Sequence, residues 1–405
     1  MTELGAGIRS GPRVTVSPRM ELPQAGWSRC VDALRPSRWT ILVYLLSRVL
    51  LIGVAVGAVA FAHESLAAEV GRWDGTWYAQ IASTGYPMHV VHHPTTLGFF
   101  PLYPIFIWLT VHLPGPPNSV ILAGALVSCV GGLVATILVQ RLATDWWGEK
   151  SGRRAALLFC FFPGSIVFSM VYAEGLLIPL AAGCLLALER RRWILAGALA
   201  GLATAVQPDA LALVVVCSVC ALVELHRRGW RDREARRSLF APALSVAGIG
   251  AFAVFLWLWT GTPFATLETQ HYGWGEKVDP LALAHQGRFL AAELRHASLA
   301  HLHIYLGPVA ALVGAIVLLI GVALLLRKPR LVSLDAMTLT LTIAFLAVVS
   351  ENVPPNPRIL ITAFPVVLVF AHQCRQRSYV WLLGTSTALL VLTSALTFGG
   401  HTLTP

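Results

Sequence analysis

Arg72-Trp73-Asp74-Gly75-Thr76-Trp77-Tyr78 stands directly after the first long apolar stretch, and Phe99-Phe100-Pro101-Leu102-Tyr103-Pro104 follows across a short polar segment. Trp and Tyr gather where a membrane meets water. The heptad therefore marks an interface, and the apolar stretch before it, 39–62, marks a span. An aromatic belt accounts for the tryptophans but poorly for Asp74 between them, because charged groups at membrane depth line a cavity or pair with one another.

Working outward, the whole chain has the same character. Of 405 residues, 56% are hydrophobic and 12% charged, with mean hydropathy +0.69. A soluble domain carries about 25% charged residues, so most of this chain faces lipid or other membrane helices. The net charge of +10 reports orientation rather than nucleic-acid binding. Apolar stretches fall at 39–62, 119–141, 154–172, 174–188, 193–206, 209–225, 239–260, 303–326, 332–349, 358–373 and 379–397. The tail and the segments 142–153, 189–192, 226–237, 327–330 and 374–378, counted with the flanking Arg141 and Arg154, hold 24 of the 30 Lys/Arg. Five (Arg72, Lys277, Arg288, Arg295, Arg358) lie on the other side, and Arg48 lies within the first span.

This imbalance puts the N-terminus in the cytoplasm and the loops 72–98 and 261–302 outside. Phe99–His112, interrupted by Pro101 and Pro104, is expected to be interfacial or re-entrant rather than crossing. The expected fold is all-α, a polytopic transmembrane helical bundle of about 11 spans with a large first extracytoplasmic loop. A disordered cytoplasmic tail over 1–38 precedes the membrane domain at 39–397, and a short extracytoplasmic tail over 398–405 follows it. The tail leads into a signal anchor, not a cleaved signal.

Polar residues within or beside the apolar stretches gather on the outer side: Asp74, His92, His93, Tyr172, Glu174, Gln207, Asp209, Gln270, His271, Trp274, Asn352, Asn356 and Arg358. Glu174 and Asp209 fall in turns too tight to reach far into water, which favours one shared site over separate loops. His89, His92 and His93 have metal-ligand spacing, yet Asp74 is the only nearby carboxylate. They read as solvated loop histidines, and neither a metal nor a cofactor is expected. Cys217-Ser-Val-Cys220 sits in an apolar run without His or acidic partners and reads as helix packing.

The heptad, with Ile81-Ala82, Gly85-Tyr86-Pro87 and Phe99–Pro104, resembles the first-loop signature of the PIG-V type mannosyltransferases. These are polytopic GT-C glycosyltransferases that use lipid-linked sugars. Phe162-Pro163-Gly164-Ser165, Phe168-Ser169 and Tyr172-Ala173-Glu174 resemble the second family signature. Gly261-Thr262-Pro263-Phe264 with Gln270 and Trp274-Gly275 is similar to the family's second outer loop, and Pro357-Arg358 with Phe364-Pro365 to its late Pro-Arg-x-Leu helix. The likeness is ordered and covers roughly residues 40–375. It departs at Gln207, where Arg is common, at His89, His92 and His93, where several members carry an acidic residue, and at Glu276-Lys277, where a basic residue is frequent.

The resemblance implies an inverting transfer with Asp74 as the general base. Trp73 and Trp77 either anchor the loop or stack on a sugar ring. Arg358 either holds the donor phosphate with its planar fork or snorkels to headgroups. Glu174 either orients the acceptor or pairs with Arg358 or Arg72. Gln270 and Trp274 contact sugar or pack the loop. The implied donor is polyprenyl-phosphate mannose in the lipid bilayer, and the acceptor an envelope glycolipid, glycan or protein, with no nucleic acid involved. Two other readings stay open: a lipid-linked sugar transporter or flippase, and a catalytically weak family member. Transporters favour inverted repeats and charge at the midplane; here the charges lie at helix ends.

Overall fold

The computed structural model describes residues 38–63, 65–114, 119–293, 302–351, 355–400 and 403–404. The expected tail up to residue 37, Arg295 and Asn352 lie outside the described residues. Among the described residues every regular element is a helix, and the only strand-like pairing described is an isolated bridge between Val278 and Ser350.

The first half runs α1 (Arg38–Ala62), α2 (Leu66–Val70), α3 (Asp74–Thr84), α4 (Leu102–Val111), α5 (Val120–Trp147), α6 (Glu149–Cys160), α7 (Glu174–Glu189), α8 (Trp193–Thr204) and α9 (Leu211–Arg228). The second runs α10 (Arg233–Ser238), α11 (Phe240–Ser245), α12 (Ala247–Thr260), α13 (Ala265–Glu268), α14 (Ala282–Glu293), α15 (Leu302–Arg327), α16 (Leu334–Val349), α17 (Pro357–Thr362), α18 (Phe364–Gln373) and α19 (Gln376–Gly400). Each of the eleven apolar stretches is helical over most of its length. Among the described residues six helices are long and apolar enough to cross a membrane, or up to seven if a bent pair counts as one span. Large apolar side chains such as Leu45, Val49, Trp257 and Phe345 stand exposed on the bundle exterior, as a lipid-facing surface requires. The chain is a multi-pass membrane protein. α4, at ten residues, is about 15 Å long, roughly half the hydrocarbon thickness.

One expected span is broken. The stretch 154–172 is α-helical only to Cys160, then turns at Pro163 into a 3-10 helix ending at Ser169, which lies at 112° to α7. Pro163 removes a backbone donor, and a broken helix leaves carbonyls without partners. Arg48 of α1 supplies them. Its guanidinium, in a residue only 4% exposed, donates to Ser165 O at 2.7 Å, Ser169 Oγ at 2.9 Å and Cys160 O at 3.3 Å. A buried intramembrane arginine is tolerable when its donors are used in this way.

The core lies where α5, α7 and the 3-10 segment meet, around Phe159, Phe168 and Tyr172. α5 and α7 touch backbone to backbone: a Cβ on Gly131 would sit 1.8 Å from Gly175 O, the close approach that small residues permit between membrane helices. Cys217 packs against Cys184 of α7, sulfur to sulfur at 3.9 Å, rather than pairing with Cys220.

Candidate active site

Asp74 opens α3, Glu174 opens α7, and Arg358 is the second residue of α17. Arg358 joins the other two. Its Nη1 lies 2.6 Å from Asp74 Oδ2, a charge-assisted hydrogen bond. Its Nε lies 2.9 Å from Glu174 Oε1, an ion contact without hydrogen-bond alignment. The guanidinium carbon also stands 5.4 Å from the centre of the Tyr172 ring, within cation–π range.

The three differ in access. The Asp74 side chain is 30% exposed and that of Arg358 18%, whereas Glu174 is sealed at 1%. Asp209, hydrogen-bonded by Gln207 Nε2 at 3.2 Å, lies within electrostatic reach of Arg358. Two carboxylates thus contact one guanidinium. Asp74 and Glu174 each lie in a first helical turn, where the helix dipole favours a negative charge.

Local sequence explains the placement. Asn356 caps α17, its side chain accepting from Ile359 N at 2.9 Å, and Pro357 follows at the first helical position, where a missing N–H costs nothing. Gly164 lets this turn approach: a Cβ there would lie 2.0 Å from Pro357 O. Gly164→Ala must therefore push Arg358 away from Asp74 or strain the 3-10 segment. We expect a loss of about 1–3 kcal/mol in stability, read as a lower melting temperature, together with lost activity.

The Tyr172-Ala173-Glu174 turn is pinned by Ser128. Its hydroxyl donates to Tyr172 O at 2.9 Å and lies 2.6 Å from the Tyr103 hydroxyl. Trp73, immediately before Asp74, has φ 61° and ψ −126°, an outlying conformation for a bulky residue of the kind that clusters at functional sites.

A second layer is aromatic. Trp77 packs edge-on against Trp274 at 5.1 Å and stacks with Phe99 at 6.0 Å. Gln270 Nε2 donates to Gly98 O at 2.9 Å. The Tyr86 hydroxyl, whose pKa burial pushes up, donates to Phe99 O at 2.9 Å. The second loop is thereby fastened onto the first, and its later part is held by Ser350, which donates to Glu276 Oε1 at 2.6 Å.

Of the residues singled out in the sequence, Asp74, Glu174 and Arg358 converge. Trp77, Gln270 and Trp274 pack together as a neighbouring wall, and Trp73 packs on the core. His92 lies against Tyr272, ring centres 4.9 Å apart. Among the described residues no three His, Cys, Asp or Glu side chains stand together as a metal site. The sequence gives no role to Tyr78, whose ring packs edge-on against Phe99 and Tyr103 at 5.1 and 4.9 Å, nor to Tyr103 and Ser128. Tyr78 and Tyr103 lie inside the first-loop pattern, but their hydroxyls are indistinguishable there from interfacial ones, and Ser128 is a small polar residue in an apolar run.

The sequence profile of the family described as Mannosyltransferase (PIG-V) matches residues 44–259, more than half of the chain. The chain belongs to the PIG-V mannosyltransferase family. Asp74, Glu174 and Asp209 fall inside the matched residues of this PIG-V chain; Gln270, Trp274 and Arg358 lie beyond them. GPI mannosyltransferase 2 of Drosophila pseudoobscura pseudoobscura is 33% identical over 114 residues, covering 25% of this chain and 24% of that protein. GPI alpha-1,6-mannosyltransferase 2 of Cricetulus griseus is 27% identical over 159 residues, covering 37% and 31%. The chain thus matches a quarter to a third of the length of these curated relatives. Among solved structures, ArnT from Cupriavidus metallidurans bound to undecaprenyl phosphate superposes with a TM-score of 0.47 at 14% identity, covering 87% of this chain and 75% of that one.

Proposed function

We propose that this chain transfers mannose from polyprenyl-phosphate mannose to a glycolipid, glycan or protein acceptor, with its N-terminus cytoplasmic and the Asp74–Arg358 end of the bundle outside. The observation that carries the reading is the 2.6 Å contact between Asp74 and Arg358. The carboxylate that the family resemblance implies as base and the cation best suited to a phosphate occupy one site.

In the proposed reaction the acceptor hydroxyl attacks the anomeric carbon while the bond from that carbon to the phosphate oxygen breaks. Asp74 takes the hydroxyl proton, and the phosphate leaves with the bonding electron pair. Its growing charge is met by Arg358, a contact stronger in the transition state than in the ground state. Asp74 is exposed enough to meet a hydroxyl; Glu174 is not, and it acts by holding Arg358 through Nε. A phosphate that takes Nη1 of Arg358 releases the Asp74 carboxylate, which makes the base available when donor is bound.

The reaction is tested with purified protein, following radiolabel from polyprenyl-phosphate mannose into membrane lipids. Wild-type transfer that is absent in Asp74→Asn supports the reading; equal transfer by both removes Asp74 from the chemistry. Orientation has its own test in a Cys-free background. An impermeant thiol reagent on intact cells is expected to label Ser83→Cys in α3 and leave Arg231→Cys untouched, both positions being exposed. The reverse pattern would overturn the topology.

A further inference from the structure

The arginines that follow α7 and α9 are arranged rather than scattered. Glu224, one turn from the end of α9 and 5% exposed, sets a single carboxylate oxygen 2.6 Å from both Arg191 Nη1 and Arg228 Nε. A buried carboxylate needs such partners, and these two come from different turns, 189–192 and 226–232. Arg191 is held there in left-handed backbone, φ 55°, which a residue other than glycine seldom adopts. The two turns are thereby clamped into one surface that carries nine exposed arginines over 190–192 and 227–237.

Local acids leave several of these arginines uncommitted. Asp232 caps α10, accepting from Ala235 N at 2.9 Å, and Glu234 pairs with Arg237. Arg227, Arg231, Arg233 and Arg236 make no ion pair among the described residues. Orientation alone does not call for this arrangement, because the positive-inside rule counts charges wherever they stand in a short loop. Nor does the dipole of α9, which favours cations only in its last turn. The apolar neighbours point to the partner. Trp230, between Arg228 and Arg231 in the chain, is 67% exposed, and Leu222 before it and Phe240 after it are exposed as well. Trp settles at headgroup level. A surface with free guanidiniums beside lipid-facing side chains meets phosphate and hydrocarbon together in a bilayer; RNA or free phosphate supplies no hydrocarbon.

We propose that this surface binds the headgroups of anionic phospholipids. Arg227, Arg231, Arg233 and Arg236 are the phosphate contacts, Trp230 sits among the headgroups, and Glu224 positions the two turns. Clusters of about four to eight Lys/Arg beside a membrane helix suit such lipids, and guanidinium forks hold phosphate oxygens in pairs. That the lipids belong to the cytoplasmic leaflet rests on the orientation proposed above; the binding itself does not.

The test titrates full-length protein in neutral detergent with dioleoyl phosphatidylglycerol or dioleoyl phosphatidylcholine and reads bound lipid by native mass spectrometry. Wild type is expected to bind phosphatidylglycerol about tenfold or more tighter, since each arginine near an anionic headgroup contributes about fivefold. The preference should shrink as salt is raised. Arg227→Gln, Arg231→Gln, Arg233→Gln and Arg236→Gln combined should abolish it and keep the wild-type melting temperature in lipid-free detergent, because no ion pair is lost. Glu224→Gln separates a built site from diffuse attraction: the variant is one charge more positive, yet its preference for phosphatidylglycerol should fall as the two turns part. A preference that rises instead reduces the surface to unarranged charge and overturns the site. So does a wild type without preference, or a combined variant that keeps it. Displacement of phosphatidylglycerol by inorganic phosphate or by short single-stranded RNA, at equal phosphate concentration, assigns the arginines to soluble anions and also overturns it. Labelling of Arg231→Cys from outside the cell would overturn the cytoplasmic leaflet and leave headgroup binding standing.

Discussion

Asp74→Asn is expected to lower turnover by about 10²–10⁴-fold if Asp74 is the proposed general base, with little change in melting temperature. The substitution keeps size and shape, and the Asn carbonyl oxygen can still accept from Arg358 Nη1, so the folded protein loses only part of one hydrogen bond. What disappears is the proton acceptor. A second effect separates this role from a structural one. Asp74 competes with any phosphate for Arg358, because the two are in contact at 2.6 Å. Removing its charge should lower the donor KM even as turnover collapses, a pattern that misfolding does not produce. Steady-state kinetics with varied donor concentration reads both numbers. Turnover near wild type, or a donor KM that rises in step with lost turnover, would count against the assigned base.

Arg358→Ala is expected to harm both stability and turnover. Glu174 is 1% exposed and has its 2.9 Å contact with Arg358; without that cation a buried carboxylate loses its compensation, at about 3–5 kcal/mol. The adjacent loss of phosphate stabilisation should lower turnover by about 10²–10³-fold. Arg358→Ala/Glu174→Gln separates the two effects. The double variant removes both charges, so thermal stability should recover most of the loss while turnover stays low. Contacting residues are where such non-additivity is expected. Recovery of turnover along with stability would make Arg358 a purely structural residue. Arg358→Lys keeps the charge without the fork and should fall between wild type and Ala.

The apolar stretches were legible because span length and hydropathy are properties of local sequence. The break after Cys160 was not, because Pro163 alone does not tell a kink from a helix end; the deciding partner is Arg48, far away in the chain. At the site, the outer-end positions of Asp74, Glu174 and Arg358 pointed to convergence, since charges at membrane depth need partners. Which atoms pair could not be read. Sequence leaves Glu174 open to Arg358 or Arg72; the structure pairs it with Arg358, while Arg72 pairs with Glu69 at 2.7 Å. Sequence leaves Gln270 and Trp274 open to sugar contact or packing, and their described contacts are with the first loop. Asn356, grouped with the polar cluster, caps a helix. Capping, ring contacts and three-body ion pairs depend on distances between segments, which composition and spacing do not encode.

Arg48 also bears on how the protein is made. It belongs to α1, yet the carbonyls it serves lie at Cys160 and Ser165, the latter 117 positions farther along the chain. Because α1 precedes the kinked segment in the chain, the donors that Arg48 gives to Ser165 O and Cys160 O find these partners only once that segment has been made. Expressed as two fragments divided between α1 and α5, the fragment with the kink would lack the Arg48 donors for its carbonyls, and the fragment with α1 would keep a guanidinium without those partners. α1 is a template laid down in advance, and the bend that brings Gly164 against the Arg358 turn is cast on it.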